Sequence, residues 1–192
     1  MIDLLKLLIK SAIIDNVVFI QYLAICPFIG MTSETDKAFG MGVATSFVIL
    51  LATAVTWPVY NLVMVPLHLE FLQTLMFILV IASLVQLVEF FLKKSIPSLY
   101  KSMGVYLALI TTNCAVLGVT INCISKDFNY GQSLVYALGS ALGFLLSMVI
   151  MSGVRSRLKI AKVPQAFQGT PILYIAAGLL SLSFLGFKGL IN

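Results

Sequence analysis

The chain has 192 residues, 60% of them hydrophobic and only 10% charged, with a formal net charge of +5. A soluble domain, with about a quarter of its residues charged, is therefore excluded. Six apolar stretches are predicted to cross a hydrocarbon core about 30 Å thick, at 12–31, 39–62, 71–92, 103–124, 132–152 and 170–190. The alternating pattern of an outer-membrane barrel is missing, so the expected fold is all-α, one integral membrane domain over 1–192.

The first stretch is interrupted by Asp15 and Asn16 and is not followed by a small-x-small site, which argues against a cleaved signal peptide. The string "LAIC" before Pro27 is a poor lipoprotein processing site, because Ile25 stands where a small residue is needed. Next comes the box "CPFIG", Cys26 to Gly30, in which Pro27 disfavours helical geometry at Cys26 and Gly30 tolerates unusual backbone angles. In the second stretch Gly40, Gly42 and Ala44 read as small residues that let helices approach; "GMGVAT" lacks the third glycine and the strand of a dinucleotide fingerprint.

His68 stands alone in the following loop, without a second ligand at metal spacing. Glu70 opens the third stretch, where a helix N-terminus favours negative charge, and Glu89 precedes Lys93 by the four residues of a local ion pair. Acidic residues in membrane segments are functional candidates, and Asp15 with Asn16 carries no assignment from sequence beyond hydrogen bonding across helices. In the fourth stretch Thr111, Thr112 and Asn113, which compete for backbone hydrogen bonds, precede the box "CAVLG", Cys114 to Gly118. Cys123 fits a small buried hydrophobe. Gly139 and Gly143 mark close approach in the fifth stretch, which ends in the basic run "VRSRLKIAK". That run is a topology signal or a contact for anionic lipid or a partner.

With alternating helices, one side carries Lys6, Lys10, Lys126 and Lys188. The other carries Lys37, Lys93, Lys94, Lys101, Arg155, Arg157, Lys159 and Lys162, so it is the cytoplasmic side and both termini face outward. The positive charge thus reports topology and gives no indication of nucleic acid.

The two cysteine boxes align with each other, as do "AFG" at 38–40 with "ALG" at 137–139, and Val65, Pro66, Phe71 and Gln73 with Val163, Pro164, Phe167 and Gln168. Three helices per half predict an inverted repeat, about 1–95 and 96–192, with its first and fourth helices interrupted at the cysteine boxes and a site near the bilayer midplane. Cys26 and Cys114 then occupy equivalent central positions. Packing, a disulfide and metal binding all stay open for them. A [2Fe–2S] centre takes four soft ligands, so a metal reading requires a partner that supplies two more. Backbone amides near Gly30 and Gly118 are candidate donors to the sulfurs.

The strings "ICPFIG", "EFLQTLMFILVIASLVQLVE", "LITTNCAVLG", "VPQAFQG" and "AGLLSLSFLGFKGL" resemble the family of membrane proteins that contains the A subunit of the Rnf complex and, more distantly, the E subunit of the sodium-pumping NADH:quinone reductase. The resemblance covers nearly the whole chain; it departs at Ala24, where relatives often have glycine, and at Ala108, where proline is usual. It implies that two homologous six-helix subunits of opposite orientation pair, and that each gives the cysteines of its two boxes to one intramembrane [2Fe–2S] cluster. Cys26 and Cys114 would be this chain's iron ligands, supported by the backbone around Gly30, Asn113 and Gly118. The implied partners are an Rnf E-like subunit, together with the Rnf B, C, D and G subunits, which carry the flavin, nicotinamide and other iron–sulfur sites. The chain itself is expected to bind neither flavin nor nucleotide and to have no independent activity. The whole translocase, in a prokaryotic inner membrane, would exchange electrons between ferredoxin and NAD with sodium or proton movement. The competing classes are an inverted-repeat secondary transporter, which needs a more polar lining than thiols, hydroxyls and one amide, and a scaffold without a cluster.

Overall fold

The computed structural model of the chain describes residues 2–67, 70–95, 109–110, 112–162 and 164–188, and every regular element among them is helical. Helix α1 covers Ile2–Ile9 and widens into a π-helical turn at Lys10–Ile14. After an irregular stretch at 15–24 comes the short helix α2, Ile25–Met31. Helix α3 spans Thr35–Val59 and continues through a π-helical turn at Tyr60–Met64, and α4 spans Gln73–Ser95. The second half contains α5, Cys114–Ser125, then α6, Tyr130–Leu158, then α7, Thr170–Lys188. Segments 35–64, 73–90 and 130–158 are long and apolar enough to cross a membrane, whereas α5 and α7 are shorter apolar helices. From the break onward each half runs in the same order: a short helix carrying a cysteine, a long helix, and a further helix.

The first apolar segment differs from its predicted bounds of 12–31. It starts at Ile2 and is broken at 15–24. Lys6 and Lys10 do not prevent the earlier start, since both are exposed and lie four residues apart, and a long lysine side chain near a helix end can carry its charge to water. In the fourth predicted stretch, 103–108 lies outside the described residues, and the helical pair 109–110 is followed by a break and then α5. His68 is also outside the described residues, as are the side chains of Glu70 and Lys93 on which two further expectations rest.

The centre of the bundle is an antiparallel pair. Thr35 of α3 meets Ser152 of α6 at 3.2 Å, and Ser46 Oγ donates to Ala141 O at 3.2 Å. Between them Gly42 faces Leu145, whose Cγ would lie 3.3 Å from a Cβ added at the glycine. Burial from lipid supplies little drive for such a contact, so close approach through small residues and interhelical hydrogen bonds has to hold it. On the other side of α6, a Cβ on Gly139 would come within 2.7 Å of Leu8 O, and one on Gly143 within 2.6 Å of Ala12 O. Those two glycines seat α1 and its π-helical turn. Gly40, expected to serve in the same way, faces open space. Each long helix also packs on the broken segment of the other half, α3 on α5 and α6 on α1.

Depth follows from this register. Gly143 is the fourteenth of the 29 residues of α6, about 20 Å from either end at 1.5 Å per residue. Whatever touches Gly143 sits at the middle of the bundle.

Candidate thiol site at the paired helix breaks

Asn16, which is fully buried, produces the first break. Its Oδ1 accepts from Val18 N at 3.0 Å and Phe19 N at 3.3 Å, so these amides bond a side chain instead of extending α1. Its Nδ2 donates to Ala12 O at 3.2 Å and to Gly143 O at 3.0 Å, and Ser147 Oγ donates to its Oδ1 at 3.1 Å. The break is therefore fastened to the midpoint of α6. Asp15 takes no part in this and instead places Oδ2 3.5 Å from Lys126 Nζ, whose ammonium also lies 4.8 Å from the centre of the Tyr136 ring.

The irregular stretch is held from α7 as well, where Ser181 Oγ donates to Phe19 O and lies 2.7 Å from Tyr22 OH. Two non-glycine residues there adopt positive φ, Tyr22 at 55° and Ala24 at 61°. Ala24 turns the chain into α2, and Phe28 N closes the first turn on Ala24 O at 3.1 Å. Pro27 is the third residue of α2, a position whose missing amide hydrogen has no helical partner to lose. The interruption expected at the cysteine box therefore lies ahead of it, at 15–24, and Cys26, where Pro27 was expected to disfavour helical geometry, is helical. The far end of α2 is held by α6: Arg155 Nη1 donates to Ile29 O at 2.8 Å and Thr32 Oγ1 at 3.4 Å.

The second break is made by Asn113. With φ −72° and ψ 113° it caps α5, its side-chain oxygen accepting from Ala115 N at 3.0 Å. Its Nδ2 is buried without a hydrogen-bond partner among the described residues. Thr111 lies outside them.

The two breaks meet. Ala24 N, two residues before Cys26, donates to Cys114 Sγ at 2.8 Å. Cys26 is the second residue of α2 and Cys114 the first of α5, so both thiols sit on opening turns, where helix amides lack partners. Both are exposed free thiols, whereas Cys123 is buried inside α5 with Sγ 3.8 Å from Ser133 O, as expected of a packing residue. Among the described residues no three His, Cys, Asp or Glu side chains are grouped to hold a metal. Any tetrathiolate site must therefore draw ligands from another chain.

Gly30 and Gly118 lie one turn deeper than the breaks, as the sixth residue of α2 and the fifth of α5. Amides at such positions are in the helix ladder, so the donor that reaches sulfur is Ala24, which the sequence marked only as a departure from glycine and not as a donor. A Cβ on Gly118 would press on Leu23 Cδ1, while Gly30 faces open space. Ser181 carries no mark in the sequence, Arg155 was expected only to set topology or to touch lipid or a partner, and the hydrogen bonding across helices expected of Asn16 is met at Gly143 O and Ser147.

The sequence pattern of the family described as "Rnf-Nqr subunit, membrane protein" matches residues 4–191. The A subunit of the ion-translocating oxidoreductase complex of Azoarcus sp. is 50% identical over 192 residues, covering all of both chains. Its counterpart in Syntrophotalea carbinolica is 49% identical over 98% of each chain. The A subunit of the Na+-translocating ferredoxin:NAD+ oxidoreductase complex of Acetobacterium woodii is 48% identical over 97% of each.

Proposed function

Because this chain belongs to the Rnf-Nqr family of membrane proteins, we propose that Cys26 and Cys114 supply two of the four thiolates of a [2Fe–2S] cluster shared with a homologous, oppositely oriented subunit. The chain is part of an ion-translocating oxidoreductase complex, the A-type subunit of a ferredoxin:NAD+ oxidoreductase. It is a multi-pass membrane protein. Its two halves are read as inverted repeats with both termini outside.

The observation that carries this reading is the hydrogen bond from Ala24 N to Cys114 Sγ, which draws the opening turns of α2 and α5 together. The residues suit the group in three respects. The two sulfurs are exposed, so a second chain can reach them. The Ala24 amide offsets negative charge on one sulfur, and Asn113 Nδ2, buried with no partner of its own among the described residues, is a further donor beside Cys114. Such a cluster, when bound, would hold and release one electron inside the membrane between carriers on its two faces. The chain's own part is to present the thiolates on the opening turns of α2 and α5 and to donate to them. Asn16 and Ser147 hold the first break and the Asn113 cap holds the second.

The test is electron paramagnetic resonance with iron quantification on the dithionite-reduced, anaerobically prepared complex. One [2Fe–2S] signal per heterodimer is expected in the wild type and in Cys123→Ser, and none in Cys26→Ser or Cys114→Ser. Iron that is absent, or indifferent to both substitutions, would refute the shared site and favour a transporter or scaffold role.

A further inference from the structure

The basic run that closes α6 lines a cavity of about 530 Å3 between the end of that helix and the start of α7. Its walls include Arg155, Lys159, Gln168, Thr170, Ile172 and Leu173. A guanidinium carries five N–H donors, and the hydrogen bonds to α2 use Nη1 of Arg155. Lys159 Nζ donates to Ser33 O at 3.1 Å and is exposed. On the opposite wall the first turn of α7, a helix of 19 residues, brings amides without helical partners to the same space. Two cations and a helix start face one cup, and among the described residues no carboxylate lines it.

A second cavity adjoins the first. Leu158 and Ala161 border both the cup and an open trough of about 560 Å3 formed by Ile150, Gly153 and Val154 of α6, with Arg157 at its rim. The trough is almost wholly apolar and opens along the side of a helix that is long and apolar enough to cross the membrane. A cationic cup at the helix end continuous with an apolar trough matches a molecule with one anionic head and a long hydrocarbon tail. A soluble phosphate would use the cup and leave the trough empty. A zwitterionic headgroup would bring its ammonium against Arg155 and Lys159.

We propose that this end of the bundle binds one anionic phospholipid, with its phosphate between Arg155, Lys159 and the first turn of α7 and one acyl chain along the trough. The site is separate from the thiols and does not depend on the cluster. It gives the basic run a use beyond setting topology.

The test takes the assembled complex in phosphatidylcholine nanodiscs, titrates it with phosphatidylglycerol and counts bound lipid by native mass spectrometry. Lys159→Gln and Ala161→Asp are each expected to weaken one saturable phosphatidylglycerol site on the order of tenfold, by removing a charge-assisted contact or adding a repelling carboxylate. Ala161 is exposed and Lys162 does not line the cup, so Ala161→Asp spares the Arg155 contacts to α2, and Lys162→Gln should bind lipid like the wild type. Equal binding by wild type and both cup variants would overturn the proposal. So would equal saturable binding of phosphatidylcholine, full displacement by an equal concentration of glycerol 3-phosphate, or a photo-cross-linker at position 161 that captures another protein of the complex in place of lipid.

Discussion

Ala24 holds φ at 61°, where an L side chain crowds the neighbouring carbonyl at a cost of about 1–2 kcal/mol. The strain sits at the residue whose amide reaches Cys114, so the conformation that aims the donor is also the costly one. Glycine adopts it freely. Ala24→Gly is expected to raise stability by about 0.5–1 kcal/mol, seen as a Tm about 2 °C higher in thermal unfolding of the purified complex, with the hydrogen bond to sulfur kept. Ala24→Val should lower Tm. A fall in Tm with glycine would mean that this turn is not left-handed in the assembled protein. Asn16 works at the same scale by a different route: one buried amide group replaces the helix ladder, ties to Gly143 and receives Ser147, so the break is specified by polar satisfaction rather than by proline or glycine.

Among the helices the deciding feature is distance. A Cβ on Gly143 would meet Ala12 O at 2.6 Å and Ala12 Cα at 3.2 Å, both backbone atoms that move only with the whole of α1. Gly143→Ala is therefore expected to destabilise by about 1–3 kcal/mol, as overpacked interiors do, and to reduce the yield of assembled complex. Gly153, ten residues along the same helix, has nothing within 4 Å and is the matched control. Gly153→Ala should be neutral or slightly stabilising through better helix propensity. Thermal unfolding and size-exclusion yield of the two variants separate a packing requirement at Gly143 from a general need for glycine in α6. The sequence marked Gly143 and Gly40 alike as small residues for close approach, but only the structure distinguishes them, since Gly40 faces nothing within 4 Å.

At the scale of the whole molecule, positive charge and register agree. Arg155, Arg157 and Lys159 gather where α6 ends, and the same end holds the close of α2 and the start of α3 through Arg155 and Ser152. Asn129 and Trp57 lie together at the other end, where Trp57 Nε1 donates to Phe128 O at 3.0 Å. If both termini lie outside, as proposed, a cysteine at position 162 should react with a membrane-impermeant maleimide only in inside-out vesicles, and one at position 129 only in intact right-side-out vesicles. The reverse pattern would invert the topology.

Composition and periodicity were enough to establish a helical membrane protein, because about 20 consecutive apolar residues can be stably placed only in lipid and lipid demands internally satisfied backbone. That the chain breaks near both cysteine boxes was also legible, since Asn16, Pro27 and Asn113 leave a local mark in residue type, although the first break falls at 15–24, ahead of its box. Where α1 begins was not, because Lys6 and Lys10 look like a flank until their exposed face is seen. Nor was the donor to sulfur: Ala24 reaches Cys114 across 90 positions, and that encounter exists only once Asn16 is fastened to α6 and Asn113 caps α5. Residue type carries the local preferences for helix and break, whereas which backbone amide meets which thiol depends on contacts between distant segments, and those are settled by packing.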